Sequence, residues 1–222
     1  MKKNLTLVLC IVFVALLAPV YSYGHVLNYD LAKLSSTDIA FTYLKLGYTH
    51  IIPFGLDHIL FVLSLFFLNP RLKPVITQAT AFTVAHSITL GLAMYKIITP
   101  PSSIIEPIIA LSIVFVALEN MITSELKPWR IVIVFFFGLV HGMGFASALT
   151  DLGLPRSSFA TGLVMFNLGV ELGQITIILL AYFLVGKWFG KMTWYRRRIV
   201  FPVSIIIALI ATFWTVQRVF FT

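Results

Sequence analysis

Six long apolar runs, separated by short connections, constrain the fold of this chain more than any other feature. They cover residues 39–68, 74–97, 104–123, 130–150, 157–186 and 198–219. An α-helix needs about 20 mainly apolar residues to cross a bilayer, and a segment in lipid must satisfy its own backbone hydrogen bonds. The runs therefore predict an all-α fold, a polytopic membrane bundle in which residues 39–222 form six transmembrane helices.

The charged residues indicate how such a bundle is oriented. Only 11% of the 222 residues are charged, against about a quarter in soluble domains. The net charge of +8 comes from basic clusters in the connections at 69–73, 124–130 and 187–198, whereas the connections at 100–103 and 151–158 carry little net charge. The positive-inside rule places the basic connections in the cytoplasm. We therefore expect a membrane protein whose mature termini both lie outside the cytoplasm, with the lipid bilayer rather than nucleic acid as its partner.

The N-terminal segment has the pattern of a secretory signal peptide at residues 1–24. Two lysines precede an apolar run, and small or polar residues follow it. An uncleaved anchor is the alternative, because the run is long and no A-x-A site follows. Residues 25–38 then form a short periplasmic segment. The single cysteine, Cys10, lies within the N-terminal run, which argues against a disulfide framework or a thiolate metal cluster.

Ionisable and amide side chains recur inside the apolar runs. Such groups are costly at membrane depth and normally line an ion, proton or substrate path. The first run carries His50, Asp57 and His58, and in an unbroken helix His50 and Asp57 would share a face. Pro53 removes a backbone donor and predicts a break in that helix, beside a lined cavity. The later runs add five residues that could belong to the same site, namely His86, His141, Asn167, Glu171 and Gln174. Two more, Glu119 and Asn120, lie apart, toward the cytoplasmic side.

These side chains suit a divalent transition metal. A mixture of imidazole, carboxylate and amide favours borderline ions such as nickel, cobalt or zinc. The proposed metal ligands are His50, Asp57, His58, His86, His141 and Glu171, and the weaker or supporting candidates are Glu119, Asn120, Asn167 and Gln174. For any single histidine, the alternative is a buried imidazole that hydrogen-bonds a backbone carbonyl.

Five segments between residues 40 and 185 carry a family resemblance: HIIPFGLDHILF, TAFTVAHSITL, ALEN, FGLVHGMGFA and FNLGVELGQ. With them the chain resembles the HupE/UreJ family of small bacterial membrane proteins. The resemblance implies a nickel or cobalt permease that serves a metalloenzyme maturation system, with His50, Asp57 and His58 important for transport. The chain has H-x6-DH where H-x5-DH is commoner, and no glutamate closely follows His141. These departures imply a subfamily with its own metal preference, in which Glu171 supplies the carboxylate.

Three functions fit these residues. The first is a secondary transporter that moves a divalent metal without a prosthetic cofactor, since no P-loop GxxxxGK[ST] motif occurs. The alternative is an intramembrane zinc-dependent hydrolase acting on a lipid amide or ester. A third is a haem electron carrier with His86 and His141 as axial ligands. A sensor or accessory subunit and a homo-oligomeric assembly remain open.

Overall fold

The computed structural model describes residues 35–145 and 158–221, and the regular structure in these residues is helical. The prediction of an all-α fold is therefore confirmed. The predicted signal peptide lies outside the described residues. The main helices are α1 (Ser36–Ile51), α2 (Leu56–Leu68), α3 (Leu72–Met94), α4 (Ser102–Ile122), α5 (Arg130–Gly144), α6 (Phe159–Ala181) and α7 (Phe201–Phe220).

The first apolar run is broken at Pro53, as predicted. Helix α1 ends at Ile51, residues 52–55 form a turn, and α2 leaves the turn at 67° to α1. A Cβ at Gly55 would overlap the carbonyl oxygen of His50, so the absence of a side chain allows the turn to close tightly. This elbow brings His50, at the end of α1, beside His58, at the start of α2.

Most of these helices have the length and composition of membrane spans. Four helices are each long and apolar enough to cross a membrane: α3, α4, α6 with its C-terminal extension, and α7 with the turn before it. The bent pair α1–α2 counts as a fifth span if it is one broken helix. Helix α5 is apolar but has only 15 residues. Many large apolar side chains on these helices are exposed, which suits a lipid environment. The count of six spans stays a prediction.

Glycines bring the helices into close contact in pairs. A Cβ at Gly47 of α1 would overlap the carbonyl oxygen of Phe166 in α6, and a Cβ at Gly142 of α5 would overlap the carbonyl oxygen of His86 in α3. Small residues allow such close backbone approach in membranes. Gly138 and Gly169 also face the backbone of a neighbouring helix, and Gly144 and Gly173 face isoleucine side chains. The resulting pairs α1–α6 and α3–α5 hold the histidine-bearing helices together.

The basic connections lie together at one end of the bundle. Residues of the connections after α2, α4 and α6 line the same cavity there. Two π-helical turns also occur at this end: Tyr182–Gly186 extends α6, and Arg196–Val200 precedes α7. The clustering agrees with the alternation of basic and neutral connections in the sequence. Which membrane face this end occupies stays a prediction.

Candidate metal site

Three histidines from three helices converge at the elbow. One ring nitrogen each from His50, His58 and His86 lies within 4.8 Å of the other two. The ring centroids of His50 and His58 are 4.7 Å apart, and that of His86 lies 6.2 and 6.0 Å from them. All three Nε2 atoms are buried and have no hydrogen-bond partner among the described residues. We call this group the three-histidine cluster.

The tautomer of His86 follows from its neighbour Asn167. The Asn167 Nδ2 donates to the Leu163 carbonyl oxygen at 2.8 Å, so Oδ1 is the atom that faces His86 Nδ1 at 3.2 Å. An amide oxygen only accepts, and a neutral imidazole has one N–H and one lone pair. Nδ1 therefore carries the proton, and the Nε2 lone pair is available to the cluster. This is the arrangement that holds metal-binding histidines in other proteins.

His141 lies beside the cluster rather than in it. Its ring centroid is 5.1 Å from that of His58. Ser112 Oγ donates its hydrogen to the Ile109 carbonyl oxygen at 2.7 Å, so it accepts from His141 Nε2 at 3.1 Å. The proton is then on Nε2, and the buried Nδ1, which has no partner in the described part of the chain, keeps its lone pair. His141 is therefore a fourth imidazole that neighbours the cluster through His58.

Phenylalanine rings surround the imidazoles. Phe145 lies 3.9 Å from His50 between ring centroids, and it stacks on Phe166 at 5.2 Å. Phe82 contacts both His58 and His141, at 5.7 and 4.9 Å. Such a wall excludes water and lowers the local dielectric constant, which strengthens any bond between a cation and the nitrogen lone pairs.

The arrangement nearly matches the geometry of a metal centre. Zinc–nitrogen bonds are about 2.0–2.1 Å long, so two imidazole nitrogens on one tetrahedral ion lie about 3.4 Å apart. The cluster nitrogens, within 4.8 Å of each other, would need to close by up to about 1.4 Å to reach that separation. The residues therefore fit a borderline divalent cation.

Asp57 precedes His58 in the sequence, but its carboxylate is paired with an arginine of the last helix. Its carboxylate accepts hydrogen bonds from Arg218 of α7, with Nη2 at 2.9 Å from Oδ2 and 3.2 Å from Oδ1. The same guanidinium donates to the Glu106 carbonyl oxygen at 3.2 Å and lies over the Trp214 ring. In this conformation Asp57 joins α2 to α7, and its role as a metal ligand stays a prediction.

The polar stripe on α6 faces α3. Glu171 Oε1 accepts from Thr80 Oγ1 at 2.6 Å, while its Oε2 is buried without a partner in the described residues. Gln174 Nε2 donates to Thr83 Oγ1 at 3.0 Å. With Asn167 and His86, these contacts join the two helices along the predicted stripe. Glu171 and Gln174 lie outside the three-histidine cluster.

Glu119 and Asn120 belong to a separate buried network. Arg130 forms an ion pair with Glu119, with Nε and Oε2 3.3 Å apart, and donates to Asn120 Oδ1 at 3.0 Å. Asn120 Nδ2 donates to the Ser64 carbonyl oxygen at 2.7 Å. His141 lies 11 residues after Arg130, or about 16 Å along a helix. The network therefore joins α2, α4 and α5 near the basic end and is remote from the imidazoles.

Sequence reasoning did not identify Ser112 or the phenylalanine wall. A serine in an apolar helix usually bonds its own backbone, so Ser112 gave no signal. In the sequence, Arg218 is the one ionisable residue of the last apolar run apart from Arg198 at its start. Its pairing with Asp57 could have been suspected because each is an isolated charge at membrane depth.

One comparison with known proteins gives a match. A family model described as HupE / UreJ protein matches residues 28–218, which is most of the chain. No curated protein and no solved structure matches. The match includes all three histidines of the cluster, together with His141.

Proposed function

This chain belongs to the HupE/UreJ family, and we propose that it is a secondary transporter for a divalent transition metal, with nickel or cobalt as the expected cargo. The family is associated with nickel and cobalt transport or maturation. The observation that carries the proposal is the convergence of three buried, unpartnered imidazole nitrogens at the elbow. Neutral imidazole lone pairs bind borderline divalent ions in preference to calcium or magnesium.

The depth of the cluster supports transport. His86 lies 14 residues after the start of α3, and His141 lies 11 residues after the start of α5. At 1.5 Å per residue these positions are about 16–21 Å from the basic end, near the middle of a bilayer whose core is about 30 Å thick. Substrate sites of secondary transporters lie at this depth, commonly at interrupted helices.

The distribution of the ligands over three helices supports reversible binding. His50 and His58 lie on opposite sides of the elbow, and His86 lies on α3. A change in the angle between α1 and α2 would separate two ligands while each helix stays intact. Binding in one conformation and release in another is what alternating access requires.

The charge of the cargo needs compensation inside the protein. Among the described residues the cluster includes no carboxylate, and an unpaired divalent cation in an apolar site is costly. Asp57 directly precedes the cluster ligand His58, and Glu171 lies one turn after Asn167, which bonds His86. We propose that Asp57 alternates between Arg218 and the cation, and that Asp57 or Glu171 exchanges protons that drive the flux. The proposed location is the bacterial inner membrane, with both mature termini periplasmic.

Metal uptake into proteoliposomes tests the transport function. We expect uptake of nickel or cobalt by the wild-type protein and its loss in His58→Ala and His86→Ala. Ser87→Ala is the matched control, since that hydroxyl bonds the Thr83 carbonyl oxygen of its own helix at 2.7 Å. Equal uptake in empty vesicles and in vesicles with wild-type protein would refute transport. Unchanged uptake in Asp57→Asn would refute the role of Asp57.

A zinc-dependent hydrolase is the second candidate, because three histidines are also a ligand set of catalytic zinc. Hydrolysis needs a metal-bound water and an open coordination position, whereas the phenylalanine wall restricts water around His50 and His58. Metal analysis separates the two functions. Tight, stoichiometric zinc together with hydrolysis of a lipid amide or ester would favour the enzyme, and exchangeable nickel or cobalt would favour the transporter.

A further inference from the structure

A large cavity opens at the basic end of the bundle, remote from the three-histidine cluster. Its volume is about 1010 Å³. Residues from the connections after α2, α4 and α6 line it, together with the ends of the adjacent helices. We call it the basic cavity. The inference drawn from it does not depend on the proposed transport function.

The polar part of the wall is positively charged. Four basic residues line the basic cavity against a single acidic one, Glu125. The Glu125 carboxylate already pairs with Lys127, with Nζ and Oε2 3.1 Å apart. An anion in the cavity would therefore meet an excess of positive charge from Arg71, Lys187, Lys191 and Arg196.

Arg196 is the fixed element of this charge. Its guanidinium donates to the carbonyl oxygens of Thr123 and Met121 at the end of α4, the latter at 3.0 Å. Within the described residues these acceptors are neutral carbonyls, so the full positive charge remains. Arginine also presents several N–H groups in a planar fork, which matches the oxygens of a phosphate.

Both π-helical turns face this cavity. Tyr182 and Gly186 come from one turn, and Arg196 and Val200 come from the other. The π-helix is rare and frequently marks a functional site. The coincidence of two such turns on one cavity indicates a binding site better than the charge alone does.

The remaining wall is apolar and lies at the ends of membrane helices. Leu68, Leu72 and Val200 contribute aliphatic surface. Tyr195 donates to the Phe67 carbonyl oxygen at 3.2 Å, and burial raises the pKa of its phenol, so this ring adds no negative charge. A ligand that fits must combine an anionic head with an apolar body.

We propose that the basic cavity binds the phosphate headgroup of an anionic phospholipid, with the acyl chains along the apolar wall. Basic pockets between transmembrane helices bind such headgroups in other membrane proteins. The lipid would join the three basic connections and stabilise the bundle at this end. The same phosphate chemistry could come from a soluble source, which the experiment distinguishes.

Lipid binding by the full-length protein in detergent tests the proposal. Native mass spectrometry would count bound phosphatidylglycerol and phosphatidylcholine as each is added. The test variant is Arg71→Gln with Lys191→Gln, and the matched control is Lys73→Gln with Arg197→Gln. The control removes two exposed basic residues from the same parts of the chain that do not line the basic cavity.

We expect the wild-type protein and the control to bind phosphatidylglycerol in preference to phosphatidylcholine. The test variant should bind phosphatidylglycerol about 10- to 30-fold more weakly, since each basic residue near an anionic lipid contributes a few-fold. Equal weakening in both variants, or equal binding of the two lipids by the wild type, would overturn the proposal. Inorganic phosphate at millimolar concentration is the last test. If it displaces the lipid only when Arg71 and Lys191 are intact, the phosphate site belongs to a soluble ligand and the lipid assignment is overturned.

Discussion

Replacement of Asn167 by leucine tests the candidate metal site through one hydrogen bond. The side chains of Asn167 and His86 are both buried, and the Asn167 Oδ1 lies 3.2 Å from His86 Nδ1. Leucine keeps the volume and removes the acceptor. The imidazole must then leave its Nδ1–H unpaired, at a cost of about 1–3 kcal/mol, or move the proton to Nε2 and lose the lone pair that faces the cluster.

Either outcome weakens metal binding. Loss of such a supporting partner typically reduces metal affinity 10- to 100-fold, or about 1.4–2.8 kcal/mol. We expect a loss in this range when nickel or cobalt is titrated into Asn167→Leu in a calorimeter. Asn167→Asp should retain the affinity, because a carboxylate accepts the same Nδ1–H and increases the basicity of the ring.

Gln174→Leu is the control for damage to helix packing. Gln174 lies two turns further along α6, and its hydrogen bond goes to Thr83 of α3 at 3.0 Å rather than to a cluster histidine. It should lower thermal stability as much as Asn167→Leu while leaving the metal affinity within about twofold. Equal affinity losses in the two variants, or no loss in Asn167→Leu, would refute the argument that Asn167 sets the tautomer of His86.

Two further predictions concern packing and charge. Gly142→Ala should destabilise the protein by about 1–3 kcal/mol, because the new Cβ overlaps the His86 carbonyl oxygen. Gly91→Ala is the control and should have a mild effect, because its Cβ meets a flexible leucine side chain at 3.1 Å. Thermal unfolding in detergent measures both variants. Arg218→Gln should raise the nickel affinity about 10-fold, or about 1.4 kcal/mol, because it releases the Asp57 carboxylate. Addition of Asp57→Asn should cancel the gain, and a gain that persists would exclude Asp57 as its cause.

The helical nature of these segments could be predicted from the sequence. Long apolar runs determine helices in lipid, because the backbone has no alternative partner there. Proline in a helix interior removes a backbone donor and kinks or breaks the helix, as it does at Pro53. Gly142 and its counterparts permit close approach in any pairing. Each of these conclusions depends on local chemistry and needs no knowledge of which helices are neighbours.

The position of Asp57 could not be predicted in the same way. In a continuous helix His50 and Asp57 would share a face, but the 67° elbow between them removes that relation. Successive residues of a helix also point about 100° apart, so the side chains of Asp57 and His58 face different neighbours. The partner of Asp57 is Arg218, 161 residues further along the chain. Only the packing of α7 determines that contact.

The residues that hydrogen-bond the imidazoles also differ in how far the sequence could predict them. The sequence indicates Asn167 as a weaker or supporting residue because it belongs to a polar stripe on an apolar helix, and its Oδ1 lies 3.2 Å from His86 Nδ1. Ser112 could not be predicted, because its hydroxyl already bonds the Ile109 carbonyl oxygen within its own helix. Its second role, toward His141, exists only because α4 and α5 place the two side chains together.

The buried ion pair between Glu119 and Arg130 has a consequence for the biogenesis of the protein. Arg130 begins α5, an apolar helix of only 15 residues, and Glu119 lies near the end of the preceding helix. Each charge alone would oppose the transfer of its helix into lipid, whereas the 3.3 Å pair offsets both charges. We therefore expect α4 and α5 to leave the translocon together as a hairpin, so that a nascent chain truncated after α4 would expose Glu119 and be recognised by membrane proteases.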